Sequence, residues 1–341
     1  MRRIVWAIAL GSLISVLVAG TAYACGGLVA PNGTISLLRT ATLAAYHDGV
    51  EHYITSFKFE GTGAEFGSIV PLPGIPSDVV RGGDWTLQRL LREVNPPERR
   101  IAQFNAVAAE AASGASVIMT AKVDALDITV LKGGGDEVGA WATEHGFLLP
   151  PDAPEILDFY GDRSPVFMTV KFNAARAAER GRNLGDSIPV HVTIPTPNPW
   201  VPLRILTLGL QPDELVQADV FLLTDAAPAL LPRPRSQGFV LEHSAPATGE
   251  LLTDLRSDRG MEWLPADGMH LSYLKIDAPA RELRHDLAVD PTGLGAPSFV
   301  AAGLVSPSPP FIAPDPISWT RLLALSAGAL ILVQGFRRLA A

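Results

Sequence analysis

The densest group of side chains able to do chemistry is His47-Asp48-Gly49-Val50-Glu51-His52, with imidazoles at both ends and carboxylates between. Imidazole nitrogens bind Zn²⁺ or Cu²⁺ and move protons near neutral pH. Asp48-Gly49 between strand-forming runs predicts a tight hairpin turn. That turn pairs His47 with Val50 and Ala45 with His52, leaving His47 and His52 diagonal on one face, about 7–8 Å apart at the backbone. Glu51 points to the opposite face. His47 and His52 are therefore candidate metal ligands in need of a third donor; the alternative is an ordinary exposed hairpin tip. The histidines at 145, 191, 243, 270 and 285 are isolated in sequence.

Elsewhere the chemical signals are sparse. The chain has no G-x-S-x-G elbow, no H-E-x-x-H and no S-x-x-K set, and it carries no cofactor motif. Lys132-Gly133-Gly134-Gly135-Asp136 resembles a phosphate cradle but lacks the Lys-Ser/Thr ending. Asp136 would also put negative charge where a phosphate belongs, so a flexible connection capped by Asp136 is the expectation. Arg281-Glu282-Leu283-Arg284-His285-Asp286 reads as a solvated charge run. Cys25 is the only cysteine, so no intramolecular disulfide is possible.

The elements that must position these groups lie between two apolar ends. Residues 1–24 read as a signal peptide: Arg2 and Arg3, an apolar stretch from Ile4 to Ala19, and the cleavage signal Ala22-Tyr23-Ala24. Cleavage there makes Cys25 the first mature residue and a candidate for lipidation. Ala22 and Tyr23 fit plain signal-peptidase cleavage better than a lipoprotein pattern, so the expectation is an unmodified Cys25. At the other end, Ile317–Phe336 contains one charge, Arg321, and is long enough at 1.5 Å per residue to cross a hydrocarbon core of about 30 Å. Trp319 suits the outer interface, and Arg337-Arg338 place the short tail 337–341 in the cytoplasm. Residues 292–316 read as a proline-rich stalk.

The body, residues 25–291, reads as α+β: an N-terminal β-hairpin and helices, then a strand-rich second half, followed by a single C-terminal transmembrane helix. The hairpin is Thr34–His47 with Val50–Glu60. Ser68–Pro76 reads as a stiff extended segment excluded from sheets by its prolines. Helices are expected after Asp84 as cap, over Glu98–Ser113, and over Asp136–His145 with Gly146 as the stop. Strands are expected over 116–123, 126–131, 165–172, 187–195, 201–210 and 216–224, and more weakly over 238–242 and 270–276.

Charge narrows the function. There are 35 acidic and 27 basic residues, and setting aside the five arginines at 2, 3, 321, 337 and 338 leaves 22 basic, a net −13 for the exported part. Such a surface is unsuited to nucleic acid.

A set of segments in order carries a resemblance. These are Cys25-Gly26-Gly27, Ile69-Val70-Pro71-Leu72-Pro73, Trp141 with His145-Gly146-Phe147, Pro150-Pro151, Phe159-Tyr160, Val166–Lys171 and Pro199–Ile205. Over about residues 25–225 the chain resembles the bacterial domain-of-unknown-function 2330 family. The resemblance implies an exported protein that begins with Cys-Gly-Gly and often ends in a membrane helix. Members often carry a second cysteine that Leu28–Pro31 lacks here, and the family supplies no activity or catalytic residues. The expectation is a single-pass membrane protein with its body on the extracytoplasmic side. It would touch the membrane through the C-terminal helix and act as a non-enzymatic binding or envelope-structural module with a protein or glycan partner. The alternative is an extracytoplasmic hydrolase whose site is assembled from distant residues.

Overall fold

The computed structural model describes residues 28–29, 35–37, 40–57, 59–61, 65–95, 116–179, 188–235 and 238–306. Residues 1–24, read as a signal peptide, Cys25, the helix expected over 98–113 and the apolar segment 317–336 all lie outside the described residues. Among the described residues no helix is long and apolar enough to cross a membrane.

The short strands β1 (Leu28–Val29) and β2 (Ile35–Leu37) precede the hairpin of β3 (Thr40–His47) and β4 (Val50–Phe57). Asp48 and Gly49 both take positive φ, 49° and 79°, the type I′ geometry that matches the strand twist. The register follows the expectation: His47 pairs with Val50, Ala45 with His52 and Ala44 with Tyr53. Tyr53, Thr55, Ala44 and Thr42 form a buried face, as their alternation predicts. The opposite face is buried as well, with Leu43, Ala45 and Ile54 fully covered.

Both faces are covered because the hairpin lies inside a large sheet. After β5 (Phe59–Gly61) come β6 (Glu65–Pro71), β7 (Asp78–Arg81), β8 (Ser116–Val123) and β9 (Leu126–Lys132). Then follow β10 (Val166–Asn173), β11 (Ile188–Pro195), β12 (Trp200–Val201) and β13 (Leu215–Thr224). The last strands are β14 (Ala229–Leu231), β15 (Phe239–Pro246), β16 (His270–Pro279) and β17 (Leu287–Asp290). A seven-stranded sheet has the order β15-β16-β13-β3-β4-β11-β7, and a five-stranded sheet the order β1-β6-β10-β9-β8. The β3–β13 pair is parallel.

Alternate residues of single strands feed different cores. Val70, Val130 and Met168 of the smaller sheet share a core with Tyr53, Val192 and Leu274 of the larger. Ile69, Leu131 and Phe167 instead pack on helices α2 (Gly135–Glu144) and α3 (Ala153–Gly161), through Val138, Trp141 and Ile156. The outer face of the larger sheet, with Leu43, Ile54 and Phe221, is covered by α1 (Thr86–Val94) and, after the short α4 (Ala174–Glu179), by α5 (Gly249–Ser257). The result is a four-layer α/β/β/α sandwich. Strands buried on both sides read as continuous apolar runs, such as Val220-Phe221-Leu222-Leu223, and so lose the alternation that marks a half-buried strand.

The α+β class stands, while several local expectations are corrected. Ser68–Pro71 does lie within a sheet, because β6 sits between β1 and β10; Pro71 is its last residue, and Pro73 and Pro76 fall beyond it. Residues 201–210 are not a strand: after Val201 the chain takes a 3₁₀ turn over Arg204–Thr207. Helices α3 and α5 stand where none was expected, α5 capped by the Thr248 hydroxyl, which accepts from Leu251 N at 3.1 Å. Asp84 does not cap α1. The carboxylate of Asp258 does so, accepting from the backbone N–H groups of Asp84, Trp85 and Thr86 at 2.8–3.0 Å and from the Thr86 hydroxyl at 2.7 Å.

The Gly133–Gly135 run is a packing device. A Cβ on Gly135 would lie 2.5 Å from Asp158 N, and one on Gly161 would lie 2.5 Å from Gly135 N, so α2 and α3 meet backbone to backbone. Glu137, not Asp136, closes the start of α2 by accepting from Gly134 N at 2.9 Å. The run 281–286 ends inside the protein, since Asp286 is fully buried. Its Oδ1 accepts from Tyr160 Oη, Leu203 N and Arg204 N at 2.8–2.9 Å, and its Oδ2 takes Arg163 Nη2 at 2.6 Å. The body also runs beyond 291: Ala302 is buried, its carbonyl accepts from Asp286 N at 3.1 Å, and Arg163 donates to Ala301 O at 2.6 Å. The described body thus includes the residues up to Ser306.

Candidate functional site

The hairpin tip brings the expected residues to the expected faces, yet it does not join them. His47 Nδ1 lies 2.7 Å from Asp225 Oδ1, at the surface. His52 turns to another strand: its Nδ1 is 2.9 Å from His191 Nε2, and its ring stacks on Trp263 with centroids 3.5 Å apart and planes within 3°. The β4–β11 register places Thr193 opposite His52 and His191 opposite Ile54, so the two imidazoles meet along a diagonal. Burial pushes His52 down to about 3, helped by the adjacent His191 and His47. Burial also pushes His191 down to about 4, against the upward pull of Asp78 and Glu262. Both rings are thus neutral at pH 7 and share one proton. Bases with such low pKa values are weak catalysts near neutrality. Among the described residues no three His, Cys, Asp or Glu side chains are grouped to hold a metal. His52 and His191 alone offer fewer donors than the three protein ligands of a catalytic zinc.

Glu51 faces away from the histidines, as expected, but is fully buried. Neither of its carboxyl oxygens has a hydrogen-bond partner. Burial pushes its carboxyl up to about 8, with a small downward pull from the Trp200 backbone, which lies near without a well-formed hydrogen bond.

A concavity with a volume of about 370 Å³ lies on the outer face of the seven-stranded sheet. That is within the 300–1,000 Å³ range of small-ligand sites. Helices α1 and α5 cover Phe221, Leu223 and Leu271, and the strands continue past them. There Asp219 of β13 pairs in register with Lys275 of β16. Tyr273 Oη donates to Asp219 Oδ1 at 2.6 Å, both groups being buried. Glu242 stands at the irregularity of β15 between Leu241 and His243. Leu91 and Val94, at the end of α1, form the apolar rim. Lys275 is half-buried. Sequence reading missed this group because no spacing links residues 219, 242, 273 and 275; only strand register does.

A second concavity of about 220 Å³ is lined by Arg204, Arg281 and Arg284 beside Asp152 and Glu155. Its cations are largely matched within the protein: Arg204 pairs with Glu155 and lies 4.2 Å over Phe159, while Arg281 pairs with Asp213.

Among curated proteins no sequence matches this chain. Among solved structures it is similar to baculovirus P35, at 7% identity and a TM-score of 0.39 over 76% of this chain and 97% of that one. It is likewise similar to a mutated baculovirus P35 after caspase cleavage, at 8% identity and a TM-score of 0.39 over 74% of this chain and 99% of that one. The family described as "Uncharacterized protein conserved in bacteria (DUF2330)" matches residues 19–226, more than half of the chain, and the protein belongs to it.

Proposed function

We propose that this protein is a non-enzymatic binding module of the bacterial envelope, carried outside the membrane on its C-terminal apolar segment. The observation that carries the reading is the open cleft at the end of the seven-stranded sheet. Besides Asp219, which accepts from Tyr273, its charged groups are Lys275 and Glu242; they stand on paired strands, whose backbone is in place before a ligand arrives, so little ordering entropy is lost on binding. A cation and a carboxylate in one cleft, beside the apolar Leu91 and Val94, suit a small zwitterion such as an amino acid or the terminus of a short peptide. The ligand's carboxylate would meet Lys275 and its ammonium group Glu242. The reading against hydrolysis rests on the paired histidines, whose lowered basicity makes them poor proton acceptors at neutral pH.

Calorimetry on the full chain in detergent micelles, titrated with amino acids and dipeptides, tests the cleft. Lys275→Met and Glu242→Gln should each weaken binding about tenfold or more, the scale of one charge-assisted hydrogen bond. Binding indifferent to both changes, or hydrolytic turnover lost on changing one acid or histidine, would sink the proposal.

The tether makes its own prediction. Ending the chain after Pro316 should release a folded body into the medium, because insertion of a 20-residue apolar helix is effectively irreversible whereas one acyl chain anchors only marginally. A shortened protein that stays on the membrane would point to an acyl anchor on Cys25 instead. One that misfolds would make the segment part of the core.

A further inference from the structure

Glu51 is an anomaly that neither the cleft nor the fold accounts for. A buried carboxyl is normally hydrogen-bonded or ion-paired, since burying a polar group without a partner is unfavourable relative to leaving it in water. Here both oxygens lack partners, and the side chain is fully covered. It lies on the inner face of the larger sheet, with Tyr46 across from it on β3 and Ile194 across from it on β11. Above it runs the backbone of Trp200.

The segment over Glu51, residues 196–201, is held at points on both sides of the carboxyl. Thr196 N donates to Gly49 O at 3.1 Å, and Tyr46 Oη donates to Thr196 O at 2.9 Å. Farther along, Val289 N donates to Pro199 O at 3.1 Å, and Trp200 pairs with Ala288 in a two-residue ladder. Trp200 also stacks on Tyr160, with centroids 5.9 Å apart. Beyond it, Leu203 N and Arg204 N are fixed by Asp286. The segment is thus a strap, pinned firmly beyond Val201 and by two hydrogen bonds at the hairpin turn.

We propose that Glu51 is a buried proton switch: protonated, it lets the strap of residues 196–201 close over the hairpin, and ionised, it forces the strap open. The titratable groups facing it are Tyr46 on β3 and Tyr53 on its own strand, and each feels the Glu51 charge as repulsive. Asp286 acts on Tyr53 from farther off, and its charge is matched by Arg163. Among the described residues no cation acts on Glu51, so an ionised carboxylate is not neutralised in place and must reach water. On the inner side lies the core between the sheets. The way out is past the strap, whose hairpin-side contacts are the two hydrogen bonds to Gly49 and Tyr46. A rise in pH toward the mildly alkaline range would then loosen residues 196–201 while the sheets stay intact.

Hydrogen exchange on the full chain in micelles, read peptide by peptide and corrected for intrinsic rates, tests this. In the native protein, exchange at 196–201 should rise by up to about tenfold per pH unit as pH climbs from 4.5 to about 8 and level off above that, while β10 stays protected. Glu51→Leu should abolish that rise. Should Glu51→Leu fail to fold, Glu51→Gln serves as the second uncharged variant. Carbon-13 detection of the Glu51 carboxyl gives its titration directly. A rise that persists in the uncharged variant, no rise in the native protein, or a carboxyl that titrates in the ordinary range would each overturn the switch.

Discussion

Asp286→Ala should lower stability by about 3–5 kcal/mol, the largest loss expected from any single substitution in this protein. The carboxylate is fully buried and makes four contacts to two separate segments: Tyr160 and Arg163 at the end of α3, and the backbone of Leu203 and Arg204. Removing it leaves the Arg163 guanidinium, only 5% exposed, as an unmatched buried charge. It also orphans the two backbone N–H groups that shape the 3₁₀ turn. For a domain of this size, such a loss lowers the melting temperature by on the order of 10 °C. Calorimetry on the full chain would show it. A companion variant separates the charge from the packing: Arg163→Met with Asp286→Leu removes both ions and should recover part of the loss. A drop smaller than about 1 kcal/mol for Asp286→Ala would mean that water replaces the carboxylate and that Asp286 is not the anchor described above.

The second large effect is a stability optimum near pH 6.5, set by three groups on β4 and β11. The histidines act on the acid side. Their folded pKa values are depressed to about 3 and 4 from 6.5, so the unfolded chain binds more protons as the pH falls, and stability is lost below 6.5. For His191, the more deeply buried, the full loss is roughly 3 kcal/mol at about 1.4 kcal/mol per pH unit. His52 adds less than its displacement suggests, because solvent reaches part of its ring. Glu51 acts in the opposite sense. Its folded pKa is raised from 4.5 to about 8, so the proton it keeps when folded is released on unfolding, and stability falls as pH climbs from 4.5 through 8. Between 4.5 and 6.5 two histidines outweigh one carboxyl; above 6.5 the carboxyl acts alone. Melting temperatures between pH 4 and 9 would trace the two limbs. Glu51→Leu should flatten the alkaline limb and spare the acid one, while His52→Phe with His191→Leu should do the reverse. An unchanged profile in either variant would show that other groups set the pH dependence.

The contrast between the histidine pair and the hairpin that carries it shows where sequence reading works. Asp48-Gly49 specifies its turn locally, because the Asp-Gly pair tolerates positive φ at both positions. From that turn the register of His47, Val50, Ala45 and His52 follows by counting. The helix over 135–144 and its stop at Gly146 were legible for the same reason, since apolar spacing and a left-handed glycine are local properties. The family membership was legible from the order of short segments.

Charge and pairing were a different matter. Glu51 could be assigned to a face but not to a depth, because what covers that face is a segment almost 150 residues further along the chain. His52 found His191 rather than His47, and Asp286 went inward with Arg163 rather than outward with its charged neighbours. Asp258 caps a helix that starts far before it in the chain. In each case the deciding partner arrives through strand order or helix docking, which no local pattern encodes. Sequence alone determined the hairpin turn, many but not all of the strands and helices, and the family. Tertiary structure decided which polar groups are buried, because desolvation depends on everything packed around a group and not on its neighbours in the chain.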